Sequence, residues 1–268
     1  GVLFNIDSLD GTVLWMQSGD KKPADTNTTN TSDEIPNQPD FSRPEPLYMF
    51  SPESVVPGLL VLANYEGEGN YYPATVLEIT SDDAFVVMYL DGGIETVALD
   101  ALTQDDLRPG AVVEILLNDS WIPAFVSRRS GTSLGLELPG GSSSWASLIL
   151  TRRNPSWGRI SRLEGVKTST PLSLTRYGES SDYYFSSVPE PNQTSATVLY
   201  LDGTWESRDS SDIIEGSIQR GDPVTWIKGS EQLDAKLDYI LGLVALLSLN
   251  NGEKQWASLA HIYITRSR

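Results

Sequence analysis

The sequence predicts an all-β chain of four small barrels arranged as two duplicated tandem pairs, and three features of its 268 residues support this. Runs of β-branched and aromatic residues alternate with Gly, Asp, Asn and Ser about every 8 to 12 residues, which is typical of sandwiches and barrels. Ordered groups of residues recur at a nearly constant offset, which is the mark of a duplication. Almost no segment has the apolar spacing of a helix.

The duplication is visible in short segments that recur in the same order. In the first part of each copy, Tyr65-Glu66-Gly67 matches Tyr177-Gly178-Glu179, and Tyr71-Tyr72 matches Tyr183-Tyr184. Further along, at an offset shorter by a single position, Tyr89-Leu90-Asp91-Gly92 matches Tyr200-Leu201-Asp202-Gly203, and Trp145-Ala146-Ser147-Leu148 matches Trp256-Ala257-Ser258-Leu259. Ordered matches of this kind indicate that one ancestral half was copied.

Each copy divides again into two modules of roughly 50 residues with four or five strands, a size that suits a small SH3-like barrel. Closing such a sheet into a barrel removes its exposed edges. The four predicted modules are residues 51–107, 108–155, 156–217 and 218–268. Residues 1–17 are predicted to add a strand segment to the first pair, since residues 6–11 resemble residues 160–165. Residues 18–50 are polar and rich in Pro, Ser, Thr and Asn, so we expect a flexible insertion.

The charge of the chain argues for some kinds of binding partner and against others. The formal net charge is −17, from 19 basic and 36 acidic residues. Nucleic acids and anionic membrane surfaces are bound by clustered Lys and Arg, so this balance argues against both. A basic partner would be attracted, although net charge also serves solubility alone.

Catalytic and metal chemistry have little support in the sequence. The chain has no cysteine, and its one histidine is His261, so neither a zinc site nor a Ser–His pair is expected. Asp91-Gly92 and Asp202-Gly203 lack the residue order of an aspartic protease and are interpreted as hairpin turns. We therefore expect no enzyme activity, no cofactor and no metal. The lack of cysteine also fits an intracellular protein, either nuclear or cytoplasmic.

Residues 57–107 and, more weakly, residues 171–217 resemble the Tudor-like superfamily of small barrels. The residues that carry the resemblance are Ala63-Asn64-Tyr65, Tyr71-Tyr72-Pro73-Ala74-Thr75-Val76, Tyr89-Leu90-Asp91-Gly92-Gly93 and Glu95-Thr96-Val97. Modules 108–155 and 218–268 match only as generic SH3-like barrels.

The resemblance implies a non-enzymatic binding protein that recognises a basic peptide, with or without methyl-lysine or methyl-arginine, such as a histone tail or an Arg-rich segment. Many Tudor-like domains hold methylated cations in a cage of aromatic faces by cation–π attraction. Gly92 and Ile94 stand where the family has Tyr and Asn, and in the second copy Trp205 is expected to supply a wall. The predicted ligand-binding residues are the aromatic ones and two acidic ones: Tyr65, Tyr72, Tyr89, Asp91, Tyr177, Tyr184, Tyr200, Asp202 and Trp205.

Three other interpretations stay open. Tyrosines at strand ends of small barrels also pack as half-buried lids, in which case the chain would be a scaffold for protein–protein assembly with no cage. A groove between paired barrels is a second candidate binding surface. Four large apolar residues are expected to pack the barrels of each pair together: Trp121, Trp145, Trp226 and Trp256. A glycosylated surface protein would use the Asn-x-Ser/Thr sites at Asn27, Asn30, Asn118 and Asn192, which we interpret as chance matches.

Overall fold

The computed structural model describes residues 50–81, 83–105, 107–138, 141–154, 172–191, 194–214 and 218–265. The predicted strand segment at residues 1–17 lies outside these ranges, as does the predicted insertion at residues 18–50 apart from Phe50. The first part of the predicted third module, residues 156–171, lies outside them as well.

The prediction of an all-β chain is confirmed. The described residues form 20 strands and six short 3-10 helices, with no α-helix, and every strand pairing is antiparallel. The strands fall into four units of five strands each, numbered here in chain order.

Unit 1 contains β1 (Leu60–Asn64), β2 (Tyr71–Ser81), β3 (Ala84–Tyr89), β4 (Ile94–Ala98) and β5 (Leu102–Gln104). Unit 2 contains β6 (Val112–Leu117), β7 (Ser120–Ser130), β8 (Ser133–Glu137), β9 (Ser143–Ser147) and β10 (Thr151–Arg152). Unit 3 contains β11 (Ser173–Arg176), β12 (Asp182–Pro191), β13 (Ser195–Tyr200), β14 (Trp205–Asp209) and β15 (Ile213–Ile214). Unit 4 contains β16 (Pro223–Lys228), β17 (Glu231–Leu241), β18 (Val244–Leu249), β19 (Lys254–Ser258) and β20 (Ile262–Thr265).

The four units share one strand order. In each unit the fourth, third, second, first and fifth strands lie side by side in that order. The second strand is always the longest, and its pairing with the third strand shifts register after Val76, Val126, Ser187 and Leu237. Because a bulge bends its strand, these four shifts curve each sheet at corresponding places.

A 3-10 helix precedes the fifth strand of every unit. These helices are Leu99–Ala101, Leu148–Leu150, Ser210–Asp212 and Leu259–His261. The remaining two are Pro52–Ser54 before β1 and Tyr65–Gly67 after it.

The two units of each copy are joined at the same register. In the second copy β12 pairs with β20, with Tyr183 opposite Ile264, and units 3 and 4 thereby share a ten-stranded sheet. In the first copy Tyr71 makes an isolated bridge with Arg153, and each residue donates its backbone N–H to the other, at 2.9 and 2.7 Å. Arg153 and Ile264 are equivalent in the repeat, as Trp145 and Trp256 are, so the duplication extends to the contact between units.

The two copies also contact each other in a reciprocal way. Ser258 of unit 4 donates its hydroxyl to the carbonyl of Leu90 in unit 1, at 2.7 Å. Ser147 of unit 2 donates to the carbonyl of Leu201 in unit 3, at 3.3 Å. Both bonds join a serine before a 3-10 helix to the hairpin that follows the third strand, so each copy docks the same hairpin onto the other.

Strand alternation explains how unit 1 packs on both of its faces. Val61 and Ala63 of β1 belong to the core of unit 1 itself. Leu62 between them points the other way and belongs to the cluster that contains the core of unit 2. Tyr71 and Leu90 join that second cluster, so the boundary between units 1 and 2 is apolar and continuous with a core.

Candidate functional site

Three tyrosines of unit 1 meet at one end of its sheet. Tyr65 follows β1 directly, Tyr72 lies in β2 opposite Ala63, and Tyr89 ends β3. The ring centroids of Tyr65 and Tyr72 are 6.0 Å apart and those of Tyr65 and Tyr89 are 5.3 Å apart, both in edge-to-face geometry. The structure therefore brings together the three predicted aromatic residues of the first copy.

The second copy assembles the corresponding tyrosines. The ring centroid of Tyr177 lies 5.6 Å from that of Tyr184 and 5.3 Å from that of Tyr200. Tyr184 and Tyr200 are 6.2 Å apart, again edge to face. Both clusters thus place perpendicular rings around one corner of the sheet.

The three rings of a cluster differ in exposure. Tyr89 and Tyr200 are buried, at 3% and 1% exposure, while Tyr65 and Tyr177 remain 38% and 45% exposed. Tyr72 lies between these extremes and shares its face with the fully buried Ala74. The buried ring therefore forms the floor of the cluster and the exposed ring forms its rim.

The predicted site did not include the two glutamates, Glu95 and Glu206, that accept a hydrogen bond from the buried tyrosines. The Tyr89 hydroxyl donates to Glu95 Oε2 at 2.8 Å, and the Tyr200 hydroxyl donates to Glu206 Oε1 at 2.5 Å. Burial, reinforced by these carboxylates, raises the pKa of both tyrosines. The two glutamates occupy equivalent positions in the repeat, just as the two tyrosines do, and that repetition was the signal in the sequence that could have revealed them.

Asp91 and Asp202 shape the hairpins next to the clusters. Asp91 Oδ1 accepts the backbone N–H of Gly93 at 2.9 Å, and Asp202 Oδ1 accepts that of Thr204 at 2.9 Å. Such bonds stabilise a turn through the aspartate side chain. The Thr204 hydroxyl also donates to Asp202, at 2.7 Å. Both predicted acidic residues therefore have a structural role in their turns.

The strand register places Trp205 on the face opposite to that of Tyr200. Strand β14 pairs with β13 so that Trp205 lies opposite Leu199 and Glu206 lies opposite Val198. Directly opposed residues share a face, and alternation puts Leu199 and Tyr200 on opposite faces. Trp205 therefore faces away from Tyr200, and the expectation that it restores a wall there has no support in the register.

The first cluster opens onto a pocket at the boundary between units 1 and 2. The pocket has a volume of about 370 Å³ and is lined by all three tyrosines of the first cluster together with Asp91. Unit 2 contributes Trp121, Leu116 and Ile149 to the lining. Four aromatic residues and one carboxylate thus border the same cavity, which lies between paired units as the groove hypothesis expected.

Trp121 is held in place by a cation that belongs to the protein. The guanidinium carbon of Arg152 lies 4.2 Å from the centroid of the Trp121 ring. Arg152 Nε donates to Glu114 Oε2 at 2.6 Å, and Nη1 donates to the Tyr72 hydroxyl at 3.1 Å. The Tyr72 and Trp121 rings meet edge to face at 5.9 Å. One guanidinium therefore links a tyrosine of unit 1 to the tryptophan of unit 2.

The equivalent boundary between units 3 and 4 is built from different residues. Tyr263 replaces Arg152, Gln232 replaces Trp121 and Thr225 replaces Glu114, as the repeat and the matching strand registers show. The Tyr263 ring stacks on Tyr184 at 5.2 Å with an interplanar angle of 29°. Its hydroxyl donates to Gln232 Oε1 at 3.3 Å.

Negative charge surrounds the first cluster. The charge and hydrogen bonding of Glu66 raise the pKa of Tyr65, and burial, Asp91 and Glu95 act in the same direction. In the second cluster, burial and the charge of Asp182 raise the pKa of Tyr184 to about 12. The potential at the rim of the first cluster therefore favours a cation over an anion.

A smaller cavity of about 250 Å³ lies between units 1 and 4 and also reaches Asp91. Its lining includes Trp226, Trp256 and His261. The Lys228 ammonium lies 5.1 Å from the centroid of the Trp226 ring. This cavity therefore has a cation of the protein at its border.

The described residues contain neither a metal-binding cluster nor a membrane-spanning helix. No grouping of three or more His, Cys, Asp or Glu side chains in these ranges is arranged to hold a metal ion. No helix in the same ranges has the length and apolar character needed to cross a bilayer.

Comparisons with known proteins do not assign the chain to a family. No family model and no curated protein matches it. Among solved structures, it is similar to the four MBT repeats of Drosophila melanogaster Sfmbt in complex with the peptide RHR(me)KVLR. That match has 10% sequence identity and a TM-score of 0.19, over 79% of this chain and 88% of that chain. A TM-score this low does not establish a common fold, so the match assigns neither a family nor a ligand.

Proposed function

We propose that this chain is a non-enzymatic binding protein that recognises a basic peptide, methylated on lysine or arginine, through the aromatic pocket of unit 1. The partner would be a segment such as a histone tail or an Arg-rich stretch, which places the protein in the nucleus or cytoplasm. The observation that carries this proposal is the cavity of about 370 Å³ that Tyr65, Tyr72, Tyr89 and Trp121 border together with Asp91.

We also propose that each five-stranded unit is a small Tudor-like or SH3-like barrel and that the barrels form two tandem pairs. The shared strand order, the corresponding bulges in the long second strands and the 3-10 helix before each fifth strand support this. Barrels of this kind present their strand ends as a rim, and the tyrosine clusters lie at such an end.

The chemistry of the pocket suits a methylated cation. Aromatic faces attract weakly hydrated cations, with about 0.5 to 2 kcal/mol for each good contact. The volume lies within the roughly 300 to 1,000 Å³ that is usual for ligand pockets. Asp91 and the nearby Glu66 and Glu95 supply negative charge, while the apolar part of the lining excludes water from the methyl groups.

Calorimetric titration with matched peptides tests the proposal. The set contains one basic sequence with its central lysine unmodified, mono-, di- and trimethylated, and the same sequence with methyl-arginine. We expect a methylated form to bind more tightly than the unmodified form, and we expect added salt to weaken binding.

Tyr65→Ala is the variant that tests the pocket, and Tyr177→Ala is its matched control in the second copy. Losing one aromatic contact should raise Kd roughly 2- to 30-fold for Tyr65→Ala. Tyr177→Ala removes a ring of similar exposure and should leave Kd unchanged. The proposal fails if no methylated or basic peptide binds the wild-type chain.

A scaffold without a cage remains the second candidate, and one observation favours it for the second copy. Tyr184 is stacked on the ring of Tyr263, which stands where the first copy has Arg152. Rings packed in this way serve stability, so the second copy can serve as a rigid support. If peptides fail to bind while a partner protein binds with no loss on Tyr65→Ala, the scaffold function is correct for the whole chain.

A further inference from the structure

We infer that, of the two tyrosine clusters in the described residues, the one at the boundary of units 1 and 2 forms the ligand site, and that Arg152 with Glu114 is the positioning pair that keeps this site open. This inference rests on the proposed function. It assigns one ligand site to the two tyrosine clusters of the described residues, and it assigns a role to two residues outside the predicted site.

The positioning role follows from the contacts of Arg152. The guanidinium lies over the Trp121 ring at 4.2 Å and donates to the Tyr72 hydroxyl at 3.1 Å, so one planar group touches two walls of the pocket. A guanidinium can stack on an aromatic face and donate hydrogen bonds from its edge at the same time. Arg152 therefore holds the indole of unit 2 beside the tyrosines of unit 1.

Glu114 makes this arrangement compatible with a cationic ligand. A positive charge over Trp121 would by itself repel a second cation in the pocket. Glu114 is buried, and its Oε2 lies 2.6 Å from Arg152 Nε, so the pair is neutral as a whole. In a low-dielectric setting, neutralisation at this distance removes most of the repulsion.

The boundary between units 3 and 4 has different residues at the positions equivalent to Trp121, Arg152 and Glu114. Where the first copy has Trp121, the second has Gln232, which offers no aromatic face. Where the first has Arg152, the second has Tyr263, whose ring stacks on Tyr184 and so covers one face of that ring. The replacements are consistent with one another, since Tyr263 and Gln232 are hydrogen-bonded.

The first experiment counts the sites and exchanges the boundary residues. Calorimetry with a basic peptide that carries one trimethyllysine should give a stoichiometry of one. The triple variant Glu114→Thr, Trp121→Gln, Arg152→Tyr places in the first copy the residues that the second copy already accommodates. We expect it to bind at least tenfold more weakly, with a far-ultraviolet circular dichroism spectrum unchanged from wild type.

The second experiment follows Trp121 without any ligand. In protein labelled with 5-fluorotryptophan, the resonance of Trp121 is the one that disappears in Trp121→Phe. Arg152→Ala should shift or broaden this resonance, and Arg152→Lys should change it less because the cation is kept. Glu114→Gln should leave the resonance near its wild-type position but weaken peptide binding severalfold, since the charge over the ring is no longer balanced.

The outcomes separate this inference from the proposed function. A stoichiometry of two, or a triple variant with wild-type affinity, overturns the single site. An unchanged Trp121 resonance in Arg152→Ala overturns the positioning role. If no peptide binds at all, the proposed function and the site count fall together, while the fluorine spectra still decide whether Arg152 positions Trp121.

Discussion

Replacing Gly203 by Ala tests whether the docked hairpins hold the two copies together. Each unit has a hairpin between its third and fourth strands that contains a glycine with positive φ, and these glycines are Gly92 at +92°, Gly141 at +83°, Gly203 at +96° and Gly252 at +85°. Their backbone N–H groups all donate to the carbonyl three residues earlier, at 2.9 to 3.1 Å. The four glycines therefore share a backbone conformation and a hydrogen bond, and they differ in what surrounds them.

The atoms around each glycine determine how much stability its replacement by Ala is expected to cost. An added Cβ at Gly203 would lie 3.0 Å from Cδ1 and Cγ of Leu150 in unit 2. At Gly92 it would lie 3.3 Å from Nδ1 of His261 in unit 4. At Gly141 and Gly252 it would meet no atom within 4 Å among the described residues.

All four Ala variants bear the strain of a positive φ, which costs about 1 to 2 kcal/mol. Gly203→Ala adds overpacking against Leu150, typically about 1 to 3 kcal/mol more. We therefore expect a loss of about 2 to 5 kcal/mol in the free energy of unfolding for Gly203→Ala and about 1 to 2 kcal/mol for Gly252→Ala. Gly92→Ala should lie between them.

Urea denaturation followed by tryptophan fluorescence measures all four variants against wild type. Gly141→Ala and Gly252→Ala are the matched controls, because they have the strain of a positive φ but no close contact of the added Cβ. If Gly203→Ala and Gly252→Ala lose the same stability, the hairpin of unit 3 does not dock on unit 2 as the structure shows, and the reasoning is refuted.

Three further predictions concern buried polar groups. Tyr200→Phe removes the hydroxyl that donates to Glu206, so it should cost about 1.5 to 3 kcal/mol of unfolding free energy. The exposed Tyr177→Phe should change that energy by less than about 0.5 kcal/mol, and equal losses in denaturation would contradict this. Asp105→Ala leaves Arg129, whose side chain is 4% exposed, without its carboxylate and should cost about 3 to 5 kcal/mol, so a loss under about 1 kcal/mol would show that the pair is not buried in solution. Burial lowers the pKa of His261 against the opposing charges of Asp91 and Asp202. The unfolded histidine then binds its proton more readily, so stability is complete above about pH 6.5 and falls as the pH drops below that value. His261→Leu, which places there the residue found at the equivalent Leu150, should reduce this fall, and an unchanged pH profile would contradict the assignment.

Much of the local structure could be predicted from the sequence. Strand alternation gives Tyr72 the same face as Ala74 and Val76, and in the structure Tyr72 packs against the core cluster of unit 1 that contains both. The predicted Asp-Gly hairpins have a glycine with positive φ, as that turn requires. These features depend on side-chain period and turn chemistry, which neighbouring residues decide.

Other features needed the strand register. Trp205 is near Tyr200 along the chain, but the hairpin returns with Trp205 opposite Leu199 and therefore on the other face. Glu206, the next residue, lies beside the Tyr200 hydroxyl instead. A shift of one residue exchanges the faces of a strand, so proximity in sequence is a poor guide to a cluster.

The amino-acid sequence alone determined the duplication, the strands and the tyrosines at strand ends. Repetition and alternation can be recognised from residues that are close together along the chain. Tertiary structure decided which residues of other units surround each tyrosine cluster. The fourth wall, Trp121, lies on β7 in another unit, and the guanidinium that holds it belongs to Arg152, at the end of that unit. Two equivalent clusters thus differ because packing between units, and not local pattern, places the residues around them.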